Sequence, residues 1–244
     1  MKAFRDAVAD DLEGLIRLHD REIDGELVSA LQDGGFPDTL ALLPEDESGE
    51  ATLAGMRAAV ADLDITPEYL DRLAAEFAGV YLTGACGASP YESVWLHPEH
   101  LACQEPMFEL RELYARAGLR VDDWHRRYDD HFVLQFQYLV RRLRDNEAQS
   151  PLTEIGRFID EHVGFWLPNF AARLGSRCEM PFYPMLAALT VAWLEQLRTT
   201  IERITGEVRV SRDEVAQRID AKFARAATDV APVKFFPGSD GPSW

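Results

Sequence analysis

Lysine is almost missing from this chain. Of 25 cationic residues only Lys2, Lys222 and Lys234 are lysines, and 42 carboxylates leave a formal net charge of −17. So acidic a surface excludes binding along a phosphate backbone, which needs a basic face, and favours cationic partners. Cysteine is scarce too. Cys86, Cys103 and Cys178 are odd in number and far apart, which excludes a disulfide framework and fits reduced thiols in a cytosol. No run approaches the ~18 apolar residues of a membrane span, and Met-Lys-Ala-Phe-Arg-Asp at the start has no apolar signal core. The expectation is a cytoplasmic chain, neither inserted in a membrane nor exported by a cleaved leader.

Strand signals are also lacking, since no segment alternates apolar and polar residues for long. What is present is helical spacing. Phe4, Val8, Leu12, Leu15 and Ile16 recur at three- and four-residue steps and predict a helix over 3–20. Further helices are predicted over 23–32 and 50–63, with 44–50 as the loop before the latter. Thr66 and Pro67 then sign the start of another, which carries Leu70, Leu73, Phe77 and Tyr81. Residues 84–103 break the pattern with Gly84, Gly87, Pro90 and Pro98, predicting a long irregular loop, and such loops are more often functional than decorative.

Helices resume over 105–117 and 129–145. The next begins after Pro151 and runs through Trp166 to Phe170, with Pro168 expected to kink or divide it. The most apolar helix, through Leu186, Leu189, Trp193 and Leu197, is expected at the centre of the core. Ser211 and Glu214 form a capping box for a last helix to about 226. The class is all-α: one helical domain over 1–229 with about 9–11 helices, then an irregular tail over 230–244.

Catalytic signatures are absent as well. There is no Gly-x-Ser-x-Gly elbow, no Gly-x-x-x-x-Gly-Lys-Ser/Thr loop and no Gly-x-Gly-x-x-Gly turn, so nothing supports an enzyme. A Glu-x-x-His pair for a di-iron bundle is lacking too. Cys86, His97, His100 and Cys103 offer ligand types that zinc accepts, so a metal- or redox-responsive protein is an alternative reading, although no Cys-x-x-Cys pair accompanies them. Around the 84–103 loop, Tyr91, Glu92 and Trp95 combine rings and a carboxylate, which suit arginine by stacking and by bidentate pairing. They could equally be anchors of a loose loop. Asp130 and His131 stand at a predicted helix start, with His131, Gln135, Tyr138 and Arg142 along one polar face. Asp130 there is either a plain N-terminal carboxylate or a partner-binding acid.

Four blocks together resemble the TorD/DmsD/NarJ family of redox-enzyme maturation chaperones. They are Phe77-Ala-Gly-Val-Tyr-Leu82 running into Ser89-Pro-Tyr-Glu-Ser-Val-Trp95, then Tyr114-Ala-Arg-Ala-Gly-Leu119, then Asp129-Asp-His131 with Gln135-Phe-Gln-Tyr138, and His162-Val-Gly-Phe-Trp-Leu-Pro-Asn-Phe170. The resemblance covers about 65–200. Asp129 departs from the family's usual proline, and Gln135 from its frequent glutamate. The resemblance implies a TorD-type helical bundle without a resident cofactor, monomeric or homodimeric. It implies a partner as well: the twin-arginine signal region and apo-form of a molybdopterin-containing oxidoreductase, held until its cofactor is inserted and before export. Tyr91, Glu92, Ser93, Trp95, Asp130 and His131 carry over as signal-peptide contacts, flanked by Tyr81 and Leu82. Guanine nucleotide binding, proposed for some members, has no phosphate loop here.

Overall fold

The computed structural model describes residues 1–123, 126–146 and 150–229; the predicted tail over 230–244 lies outside them. Among the described residues there are eleven α-helices and no strand, with one π-helical turn. The helices are α1 (Lys2–Asp20), α2 (Gly25–Gly34), α3 (Glu47–Ala61), α4 (Pro67–Phe77), α5 (Glu92–Leu96) and α6 (Glu105–Arg116). They continue as α7 (Phe132–Arg144), α8 (Leu152–Glu161), α9 (Val163–Arg177), α10 (Phe182–Thr205) and α11 (Arg212–Asp229). The π-turn, Ala78–Leu82, extends α4.

The apolar stripe of α10 is buried between α3, α8 and α9, with Leu186, Leu189, Trp193, Leu194 and Leu197 all inside. It is the centre of the core, as its composition predicts. The stripe of α1 packs on α7 and closes a second side. Trp166, Trp193, Tyr183, Phe132, Phe136, Phe170 and Phe182 are among the largest buried side chains, and Phe132 of α7 meets Trp166 and Phe170 of α9 ring to ring.

Buried charges fasten segments that have no regular backbone partners. Asp11 of α1 accepts from Ala41 N (2.8 Å), Leu42 N (2.9 Å) and Trp193 Nε1 (3.1 Å), pinning the α2–α3 connection to α10. Arg5, also buried, donates to the carbonyls of Arg142, Leu143, Asp145 and Ser150, closing the end of α7.

Three boundaries differ from the sequence reading. Helix α3 begins at Glu47, because the Asp46 carboxylate caps Gly49 N at 2.6 Å, so half of the predicted 44–50 loop is helical. The predicted helix after Pro151 is divided at His162 (φ −121°, ψ −108°), not at Pro168. A Cβ on Gly164 would lie 2.6 Å from Ile159 O, so the sharp turn there requires glycine. Pro168 stays within α9. It cannot donate to Gly164 O, and Arg212 of α11 does so instead (3.4 Å), while also bonding Phe165 O at 2.6 Å and lying over the Phe165 ring. The Ser211–Glu214 capping box forms as predicted, with reciprocal bonds of 3.2 and 3.3 Å. The helix it starts runs to Asp229.

Candidate functional site

The site grows from the π-turn at the end of α4. Widening the helix there turns Tyr81 inward and Leu82 outward, the latter 63% exposed. Tyr81 meets Phe77, Phe132, Phe170 and Tyr183 ring to ring, and its hydroxyl lies 2.7 Å from Nδ1 of the buried His19. On the far side, His19 Nε2 lies 2.9 Å from Thr190 Oγ1, whose own proton goes to Leu186 O. Thr190 must therefore accept from Nε2–H, and Nδ1 accepts from Tyr81. The Nδ1 role follows from burial, which pushes the pKa down to about 3 and keeps the imidazole neutral.

The following loop is tied rather than loose. Gly84 (φ 68°) and Gly87 (φ 63°) make a left-handed turn closed by Gly87 N to Gly84 O at 2.9 Å. Trp95 Nε1 donates to Ser89 O (2.8 Å), and the Trp95 ring stacks on Trp166 at 6.4 Å. The residues expected to be irregular throughout contain the short helix α5. Tyr91 and His131 form an antiparallel bridge, with Phe132 N donating to Pro90 O (3.0 Å) and Glu92 N to Asp130 O (3.1 Å). The loop ending at Trp95 and the start of α7 are thus one unit.

Inside that unit the carboxylates face the protein interior. Glu92, 1% exposed, accepts from Gln135 Nε2 (2.9 Å), Trp166 Nε1 (3.2 Å) and His162 Nδ1 (3.0 Å). Burial disfavours the imidazolium of His162, but the charge of Glu92 and its hydrogen bond outweigh this and raise the pKa. Asp130, fully buried, accepts Ser93 N at 2.8 Å through Oδ2, and its Oδ1 has no partner. Burial raises its pKa to about 6 against the Ser93 bond, and the charge of Glu92 adds to the rise. His131 caps α7 by accepting Val133 N at 3.1 Å, and burial pushes its pKa well down.

Each sequence-predicted residue therefore has a definite place. Tyr91, Glu92, Ser93, Trp95, Asp130 and His131 are brought together, and Tyr81 joins them through Phe132. Of the set only Leu82, Tyr91 and Trp95 reach solvent; Tyr81, Glu92, Ser93, Asp130 and His131 are buried. The expectation that Asp130 serves the start of α7 is corrected: α7 begins two residues later, and the carboxylate bonds the first turn of α5. The polar face through His131, Gln135 and Tyr138 is likewise turned inward. Sequence reasoning missed His19, and it missed His162 and Trp166 as partners of Glu92. Their i, i+4 spacing puts both donors on one face of the chain, a signal available in advance. Asp129, where the family has proline, is buried against Arg111 (2.8 Å), and its carbonyl accepts from Tyr114 OH.

The four residues of the metal reading do not converge. Cys86 lines a cleft with Cys178, His97 packs edge-on against Phe223, and His100 Nδ1 lies 2.9 Å from Val94 O. Among the described residues no group of three or more His, Cys, Asp or Glu side chains is placed to hold a metal ion. Among the same residues, no helix is long and apolar enough to cross a membrane.

Residues 44–172, more than half of the chain, match the family model described as nitrate reductase delta subunit. The chain belongs to this family, that of the TorD/NarJ-type maturation chaperones. Among curated relatives it is similar to Chaperone protein TorD of Shewanella sp. (strain MR-4), 29% identical over 78% of this chain and 91% of the relative. The same-named proteins of Vibrio parahaemolyticus (26% identical; 79% and 94% covered) and Shewanella loihica (30%; 71% and 83%) are also similar. The matched family segment runs from the N-cap region of α3 through the π-turn, the Glu92–Asp130 unit and His162 to the middle of α9. This chaperone family is not one of enzymes.

Proposed function

We propose that this chaperone binds the twin-arginine signal region of a molybdopterin-containing oxidoreductase subunit in the cytoplasm, holding the apo-form until cofactor is inserted and before export. The observation that carries the reading is the joining of the loop to α7, which presents Tyr91 and Trp95 from a backing of buried hydrogen bonds. Rings held in this way suit a guanidinium by stacking and an adjacent apolar stretch by burial. A charge of −17 supplies long-range attraction for the basic motif. Family membership and the names of the relatives support the chaperone role.

In this reading the buried acids do not touch the peptide. Glu92, Ser93, Asp130 and His131 position the loop, with Tyr81 packed behind it, while Leu82, Tyr91 and Trp95 make the contact. Titration calorimetry with a client signal peptide tests it: binding is micromolar or tighter and is lost when Arg-Arg becomes Lys-Lys. Trp95→Ala and Tyr91→Ala each weaken binding about tenfold or more. Failure of any client signal peptide or apo-subunit to bind refutes the proposal, and pull-down of co-purifying oxidoreductase subunits from the native cell identifies the client.

A further inference from the structure

Beside the π-turn lies an open cleft of about 430 Å³ lined by residues of α4, the π-turn, the 83–91 loop and the α9–α10 junction. Cys86 and Cys178 both line it, together with Arg72 and Arg177. Two residues about one turn apart, Glu76 at the end of α4 and Gly79 in the π-turn, hold the segments that carry the thiols. Glu76 Oε1 accepts from Glu179 N (2.8 Å) and Met180 N (2.9 Å), fixing the backbone just after Cys178. Gly79 O accepts from Cys86 N at 3.2 Å, and Gly79 lacks the Cβ that would sit only 3.2 Å from Cys86 Sγ. Positions i and i+3 share a helix face, so the two cysteines are delivered to the same spot. Both line this one cleft, both are free thiols, and both are partly open to solvent.

We propose that Cys86 and Cys178 are a disulfide-forming pair, whose oxidation by a small-molecule disulfide ties the 83–91 loop to the α9–α10 junction. The Cys178 thiol, pushed up to about 12 by burial first and then by the charge of Glu76, enters second. Cys86 gives up its proton to solvent and attacks the probe disulfide R–S–S–R, forming a mixed disulfide and releasing R–S⁻. Cys178 then loses its proton and displaces the second R–S⁻. The protein loses two protons and two electrons, and the probe is reduced to two thiols. The new link closes a chain segment of about 90 residues, so the unfolded state loses more than the folded one. The proposal does not rest on peptide binding.

The test incubates the full reduced chain with oxidised glutathione and maps peptides by mass spectrometry without reduction. A Cys86–Cys178 linked peptide with Cys103 still alkylatable is expected, together with a rise in the thermal midpoint of about 5–10 °C that dithiothreitol reverses. Cys86→Ser and Cys178→Ser each abolish both signals, whereas Cys103→Ser leaves both in place. Separate glutathionylation of the cysteines with no internal link overturns the pairing, as does a link involving Cys103. A linked protein with an unchanged midpoint overturns the bracing of the loop.

Discussion

Asparagine at position 130 isolates the energetics of the buried loop anchor. Asp130 is buried with one oxygen bonded to Ser93 N and the other without a partner, and its pKa is raised from 3.8 to about 6. Below pH 3.8 the carboxyl is neutral in both folded and unfolded chains and costs nothing. As pH rises the unfolded chain ionises first, so stability falls until the folded carboxyl also ionises near pH 6. The gap corresponds to about 3 kcal/mol, all of it lost by neutral pH. Asparagine keeps an oxygen for Ser93 N and never ionises. Asp130→Asn is therefore expected to match the parent near pH 4 and to exceed it by up to about 3 kcal/mol at pH 8. For a chain of this size that is a rise of about 5–10 °C in the thermal midpoint.

Urea unfolding followed by circular dichroism, at intervals between pH 4 and 8 in both proteins, gives the difference directly. His19, whose depressed pKa makes stability rise with pH over part of the same range, is common to both and cancels. A pH-independent difference, or a variant less stable than the parent at pH 8, would refute the raised pKa of the buried Asp130.

Other substitutions probe the same framework. Glu92→Gln removes the charge that holds the His162 pKa up, so the imidazole titration followed by NMR moves to lower pH; an unmoved titration contradicts the pairing. Gly164→Ala drives a Cβ to 2.6 Å from Ile159 O and should cost about 2–3 kcal/mol in chemical denaturation, where a neutral effect would mean the turn at His162 can relax. Arg5→Ala strands the carbonyls at the end of α7 and should cost about 3 kcal/mol, read from the same experiment.

The helices were legible because their apolar spacing is regular. The stripe of α1 and the run through Trp193 in α10 need no tertiary information to be recognised. The break between α8 and α9 was not. Proline announces itself as a helix breaker, yet Pro168 is tolerated because Arg212, far along the chain, satisfies the exposed carbonyls. The real break at His162 depends on Gly164 fitting against Ile159, a contact that spacing alone does not reveal. At the site, the family resemblance puts the Trp95 loop and Asp130 in one set of contacts, but their joining through the Tyr91–His131 bridge and the Ser93 bond is visible only in the structure. The inward direction of the carboxylates was not legible either, because a sequence lists acids without saying which have three buried donors waiting for them.

That inward direction changes what mutagenesis of this surface can mean. A buried carboxylate is costly, and here two, Glu92 and Asp130, hold a loop of about twenty residues on which the rings of Tyr91 and Trp95 are half-buried. If the acids paired directly with an incoming guanidinium, Asp130→Asn would abolish binding while Trp95→Ala merely weakened it. With the acids as internal ties the order reverses: Asp130→Asn keeps the Ser93 bond and so keeps the rings in place, leaving affinity within about threefold, about 0.6 kcal/mol. Trp95→Ala, which removes the ring stacked on Trp166 together with its bond to Ser89 O, takes away contact and support at once. Calorimetry of one client peptide against these two variants separates the models, since each predicts the opposite ranking.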